Sequence, residues 1–74
     1  MKYLIQAGRF DEAEAFAKSE LLEKKDWKYI SRPEHIIGYD RTRVKVIQVG
    51  TFRQHPRFKE ISDEIRYGLF KIHS

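Results

Sequence analysis

The sequence predicts a small α/β domain: a three-stranded, mostly parallel sheet in the order 2-1-3, with two amphipathic helices and a short helical turn. β-prone segments alternate with segments of helical periodicity. A strand, helix, strand order favours a right-handed crossover between parallel strands. Because 74 residues with 41% hydrophobic side chains suffice for one modest core, residues 1–74 are predicted to form a single domain.

The first strand and the first helix are predicted in the N-terminal part of the chain. Residues 2–6 are β-prone and lead into Gly8. Asp11 is predicted as the helix N-cap, with Glu14 three residues later as in a capping box. Apolar side chains recur at three-to-four spacing as far as Leu21, which predicts an amphipathic helix of about fourteen residues.

A second strand, a helical turn and a third strand are predicted in the middle of the chain. Residues 27–31 alternate large apolar with polar side chains and are rich in aromatics. Ser31 and Pro33 suit the start of one or two helical turns that Gly38 would close. Residues 43–49 hold a β-branched run and predict the most buried strand.

The second long helix is predicted to begin near His55, where Pro56 suits a first turn, and to run to about Tyr67. Its apolar residues keep the spacing of one helical face. Gly68 either ends this helix or lies inside a helix that continues to Ile72 at a cost of about 1 kcal/mol. The sequence leaves both alternatives open.

Composition excludes several classes of protein. The chain has no cysteine, which excludes a disulfide framework and thiolate zinc sites. Its N-terminal apolar run is too short for a signal peptide or a membrane span, so we expect a cytoplasmic protein with no membrane partner. The 3 histidines lack metal-ligand spacing and no nucleophile motif is present, so we expect no metal, no cofactor and no enzymatic activity.

A ligand site is predicted where the first and third strands end. Residues 5–10 and 47–52 both comprise a strand end, a glycine turn and a phenylalanine, either through duplication or because β-to-α turns prefer glycine. In the order 2-1-3 the two strand ends flank a topological switch point, where open α/β sheets bind ligands. A nucleotide or another phosphate ligand is the predicted occupant. The predicted ligand-binding residues are Gly8, Arg9, Gly50, Thr51, Arg53, His55 and Arg57.

A second set of residues predicts an interaction surface. The 15 basic residues exceed the 11 acidic residues by a net charge of +4, which permits an acidic partner. Docking on another protein is the first hypothesis, and nucleic-acid binding through the basic edge is an alternative. The second strand has only Lys28 as a protective charge, so coverage by a second copy in a homo-oligomer, or by a partner, is also predicted. The predicted surface residues are Trp27, Tyr29, Tyr39, Arg41 and Arg43.

The chain resembles small phage-encoded α/β proteins. Near the N-terminus, a strand is followed by a small residue, a glycine, an arginine and a helix that starts with acidic residues. The resemblance rests on this order and on residues 27–30 and 46–51. It covers most of the chain. It implies a truncated Rossmann-like core, a phage origin and docking on a host or phage protein. Neither Gly8 nor Gly50 has a second glycine nearby, so the glycine-rich fingerprint of dinucleotide binding is absent.

Overall fold

The computed structural model describes residues 2–73. Within this range the strands are β1 (Lys2–Gln6), β2 (Trp27–Ile30), β3 (Val44–Gln48) and β4 (Ile72–His73). The α-helices are α1 (Phe10–Ser19) and α2 (Phe58–Tyr67). Short 3-10 turns lie between them at Lys24–Asp26, Pro33–His35 and Phe52–Gln54.

The strands form one parallel sheet in the order β2-β1-β3-β4. The α/β class, the parallel sheet and the two helices are therefore confirmed. The predicted number of strands is wrong, because the described part of the chain has four strands rather than three. β4 is not predictable from local sequence, since two residues are too few to show the alternation of a strand.

The two helices lie on opposite faces of the sheet. α1 covers the face that carries Ile5 and Ala7. α2 covers the other face, where Leu4 packs with Val46. Successive residues of β1 thus point into two different apolar layers. Because both faces of β1 are covered, all four side chains of residues 4–7 are buried.

The architecture consists of two β–α–β units placed side by side. The units β1–α1–β2 and β3–α2–β4 meet where β1 pairs with β3. Ile5 pairs in register with Ile47, and Gln6 with Gln48. The two similar segments of the sequence therefore lie next to each other, at equivalent places in the two units.

Both helices end with a leucine in the left-handed backbone region. Leu21 has φ 57° and Leu69 has φ 58°. After α2, the N–H of Leu69 donates to the Arg66 carbonyl at 3.1 Å and the N–H of Phe70 donates to the Ile65 carbonyl at 3.1 Å. The equivalent two hydrogen bonds close α1. This is the Schellman motif, in which glycine is the usual residue, so each leucine carries a steric cost of about 1–2 kcal/mol.

The boundaries of α1 differ from the prediction at both ends. The helix has 10 residues rather than about fourteen, because the left-handed Leu21 turns the chain away after it. Its N-cap is Arg9, in extended conformation and without a side-chain cap. Asp11 is therefore not the N-cap, and the helix begins two residues earlier than predicted.

The boundaries of α2 decide between the two alternatives at Gly68. The helix ends at Tyr67, with Gly68 as its C-cap, and the chain then turns back to place Ile72 in β4. The helix begins at Phe58 rather than near His55, because a separate 3-10 turn precedes it. Among residues 2–73, neither helix has the length or the apolar content needed to cross a membrane.

Candidate functional site

The predicted ligand site lies at the carboxyl ends of β1 and β3, but only part of it comes together. Gly8, Arg9 and Thr51 line one shallow depression of about 340 Å³, together with Glu12. Gly50 lies against the same Glu12 carboxylate. The glycines and the threonine of the prediction thus share one site with an acidic side chain.

The carboxylate of Glu12 fills the position that a ligand anion would take between the two turns. Thr51 donates to it from its hydroxyl at 2.8 Å and from its backbone N–H at 3.1 Å. The hydroxyl first, and then the backbone N–H, hold the pKa of Glu12 below its ordinary value of 4.5. The backbone N–H groups of Arg9 and Gly8 lower this pKa further. Glu12 is the third residue of α1 and so also takes the place of the acid in a capping box.

The two glycine turns pack directly against each other. A Cβ at Gly8 would overlap the Thr51 hydroxyl and would lie 2.5 Å from the Thr51 carbonyl oxygen. Gly50 has φ +57°, and a Cβ there would overlap the Glu12 carboxylate. This contact between turns accounts for both glycines without a bound phosphate.

The three arginines predicted for this site do not converge on it. Arg9 lines the depression, and its guanidinium forms an exposed ion pair with Asp11 at 3.3 Å. The guanidinium of Arg57 donates to the Glu60 carboxylate at 2.7 Å. Arg53 lines a different depression, beside α2.

Trp27 and Tyr29 form an aromatic cluster with Phe10 and His55. The ring centroids of Phe10 lie 5.9 Å from Trp27 and 5.8 Å from Tyr29, and Tyr29 lies 6.4 Å from His55. The Tyr29 hydroxyl donates to the carbonyl of Ala7 at 3.4 Å, and burial raises the pKa of Tyr29 above 10.0. Both strand residues are half-buried. They hold α1 on the edge strand β2 and so contribute mainly to the fold.

The other predicted surface residues lie in and beside the loop that leads into β3, where β1 and β3 begin. Tyr39 packs against the core on the α2 side, and Lys2 Nζ lies 5.8 Å from the centre of its ring. Arg43 lies 3.9 Å from the carboxylate of Asp40. Arg41 is exposed and lines two adjoining depressions. These three residues therefore share one region, apart from Trp27 and Tyr29.

One of the two depressions, of about 560 Å³, is lined by basic and apolar side chains, by Thr42 and, among residues 2–73, by no acidic side chain. β4 pairs only with Val46 and Ile47 of β3, so the outer edge of β3 is left open at Val44. Lys45 and Lys71 flank this gap. We call this region the basic surface and define it by Arg41, Val44, Lys45, Leu69, Lys71 and His73.

The other depression, of about 400 Å³, has a mainly apolar lining that also includes Arg41 and Glu64. We call it the apolar groove and define it by Ile37, Tyr39, Tyr67 and Phe70. Six large apolar side chains are exposed in the described part of the chain. Three of them lie on these two regions: Ile37 at 67%, Tyr67 at 89% and Leu69 at 67% exposure.

Basic side chains outnumber acidic ones around these two regions. Lys2, Arg41, Arg43, Lys45 and Lys71 lie here, with Asp40 beside Arg43 and with Glu64 in the lining of the apolar groove. Among residues 2–73, the lining of the basic surface itself holds three cationic side chains and no carboxylate.

Sequence reasoning finds Tyr39, Arg41 and Arg43 but misses Lys71 and Leu69. These two residues reach the surface only because the chain reverses after α2 and adds β4. No local pattern predicts that reversal, since its left-handed residue is not a glycine. Among the described residues, no group of three histidine or carboxylate side chains is placed to hold a metal ion.

Comparisons with protein-family models, with curated proteins and with solved structures find no match to this chain. The phage resemblance and the Rossmann-like core therefore stay predictions. The function has to be argued from the geometry alone.

The stability of the fold should depend on the ionisation of Glu12. Because its pKa is lowered in the folded state, its contribution is present above the ordinary value of 4.5 and is lost as the pH falls through the lower folded value. We expect Glu12→Gln to lower the melting temperature at neutral pH and to have less and less effect as the pH falls from 4.5 through the lower folded pKa, because the wild-type carboxyl becomes protonated there. Melting curves of both chains across this range measure the difference. A difference that is the same at every pH would contradict the role of the ionised carboxylate.

Proposed function

We propose that this chain is a non-enzymatic binding protein that docks on an acidic partner protein through the basic surface and the apolar groove. The observation that carries the proposal is that, among residues 2–73, the basic surface brings together three cationic side chains and no carboxylate, directly beside the apolar groove. If the phage resemblance holds, the partner is a host protein.

The charge distribution favours an anionic partner. The lining of the basic surface combines Arg41, Lys45 and Lys71 and, in the part of the chain that the structure describes, includes no carboxylate. Like charges held together repel each other, and a complementary negative surface would relieve that repulsion on binding. Such complementarity also accelerates encounter and selects against basic partners.

The apolar side chains favour a protein over a nucleic acid. Ile37 and Leu69 are aliphatic and largely exposed, and they offer neither a charge for phosphate nor a ring for stacking on bases. Of the aromatic side chains that line the apolar groove, Tyr39 and Phe70 are half-buried and Tyr67 is exposed. Protein interfaces commonly combine such apolar centres with arginine and tyrosine. Nucleic-acid binding is therefore the less favoured alternative.

Leu69 lies at the edge of the basic surface with a left-handed backbone and 67% exposure. Leu21 has the same backbone conformation and is 89% exposed, but it lines neither region. The strain therefore does not by itself mark a binding site in this chain, and the two leucines can be compared as a matched pair.

The two left-handed leucines provide a matched test. Leu69→Gly and Leu21→Gly should each stabilise the fold by about 0.5–1 kcal/mol, since glycine adopts this conformation without strain. Only Leu69→Gly should weaken partner capture, because Leu21 does not line either region. The measurements are the free energy of unfolding in urea, and the amount of protein that each tagged variant retains from a nuclease-treated lysate of the source cells.

The comparison separates stability from binding. Equal capture by wild type, Leu69→Gly and Leu21→Gly would contradict the proposed surface. A bound species that disappears on nuclease treatment would instead identify a nucleic acid. Recovery of no stoichiometric partner by a folded wild-type chain would count against a docking function.

A further inference from the structure

A third depression, of about 450 Å³, lies beside α2 and beneath the returning segment that contains β4. We call it the α2 pocket. Its apolar lining comprises Phe52, Phe58, Ile65, Leu69, Phe70 and Ile72. Its volume falls within the range of about 300–1,000 Å³ that is typical of small-molecule sites. Leu69 and Ile72 are 67% and 47% exposed, so apolar surface is open to a ligand here.

The charges on the α2 pocket are of one sign. Arg53 and Arg66 belong to its lining, and no acidic side chain of the described range does. Within residues 2–73, neither arginine has an ion-pair partner within 4.0 Å. The guanidinium of Arg53 lies 5.5 Å from the centre of the Phe52 ring, which holds it at the apolar wall. The pocket thus joins an apolar wall to two available guanidinium groups.

A chain of amide hydrogen bonds orients a further donor in the α2 pocket. Gln6 is fully buried; it accepts a hydrogen bond from Gln48 Nε2 at 3.0 Å and donates from Nε2 to Ser62 Oγ at 3.2 Å. Because the Ser62 oxygen accepts from Gln6, its own hydrogen is free to donate to a ligand. Gln48 and Ser62 both line the pocket.

We propose that the α2 pocket binds a small carboxylate with an apolar body. The arginines would hold the carboxylate, whose two oxygens match the planar fork of a guanidinium. The phenylalanines and Ile65 would contact the apolar body, and the Ser62 hydroxyl would donate to the ligand. This site does not depend on the partner proposed above.

The test titrates octanoate, as the probe, into the ¹⁵N-labelled full chain and monitors its binding by NMR. Octanol has the same apolar body without the charge, and acetate has the charge without the body. We expect saturable shifts of the amide signals of Phe58, Ser62 and Leu69 with octanoate, and at least roughly tenfold weaker binding of octanol and acetate.

Variants locate the site. Arg53→Gln and Arg66→Gln should each weaken octanoate binding by roughly tenfold. Lys59→Gln should leave the binding unchanged, because Lys59 lies on α2 but outside the lining of the pocket. All three side chains are exposed, so the fold should tolerate each change. The absence of saturable shifts at the pocket, equal binding of octanol, or equal affinity of the two arginine variants and the wild type would each overturn the proposal.

Discussion

Gly8→Ala is expected to destabilise the protein by about 3 kcal/mol, a large part of the roughly 5–10 kcal/mol available to a small domain. The added Cβ would overlap the Thr51 hydroxyl and lie 2.5 Å from the Thr51 carbonyl oxygen, so the two turns would have to separate. That separation would also break the hydrogen bonds from Thr51 to Glu12. The free energy of unfolding in urea measures the loss.

Gly38→Ala is the matched control. Gly38 has φ +96°, and no atom of residues 2–73 lies within 4 Å of an added Cβ, so alanine there meets backbone strain. We expect a cost of about 1 kcal/mol at this position. The backbone of Gly8 is not left-handed, so the cost of alanine there comes from the opposing turn and from the Glu12 carboxylate, which would lie 3.0 Å from the added Cβ. Equal stability of Gly8→Ala and the wild type would show that the two turns are not packed as described.

The parts of the fold that the sequence predicts are those with local signals. The β-branched run around Val46 identifies β3, and the aromatic alternation of Trp27 and Tyr29 identifies β2. The helix ends escape prediction because Leu21 and Leu69 take the place that glycine usually holds. β4 forms only because the chain reverses direction after Leu69, so it could not be predicted either.

The candidate site was less predictable than the fold because its decisive contacts are distant in sequence. Glu12 meets Thr51 across 39 residues, so the acid that fills the switch point cannot be recognised from either segment alone. The pair of Arg57 and Glu60 is local and follows from i,i+3 spacing on a helix. Lys71 can be assigned to the basic surface only when the pairing of β4 with β3 is known.

The double charge reversal Arg41→Glu/Lys71→Glu is expected to weaken partner binding at least 100-fold, or by about 2.7 kcal/mol. The two substitutions reduce the formal charge from +4 to zero, and both changes fall on the basic surface. Stability should change little, since both side chains are exposed and neither forms an ion pair within residues 2–73.

Lys24→Glu/Lys59→Glu is the matched control, because it produces the same overall charge at two exposed positions away from both regions. If general electrostatic attraction governed binding, the two double variants would lose affinity equally. If the basic surface is the contact, the control should keep most of the wild-type affinity.

The most direct test of the docking function is quantitative capture from a nuclease-treated lysate by the wild-type chain and these two double variants, at low salt and near physiological salt. We predict that the wild type and the Lys24/Lys59 variant retain the same acidic protein, that the Arg41/Lys71 variant does not, and that added salt weakens the retention. Retention of that protein by the Arg41/Lys71 variant at the wild-type level would contradict the central claim.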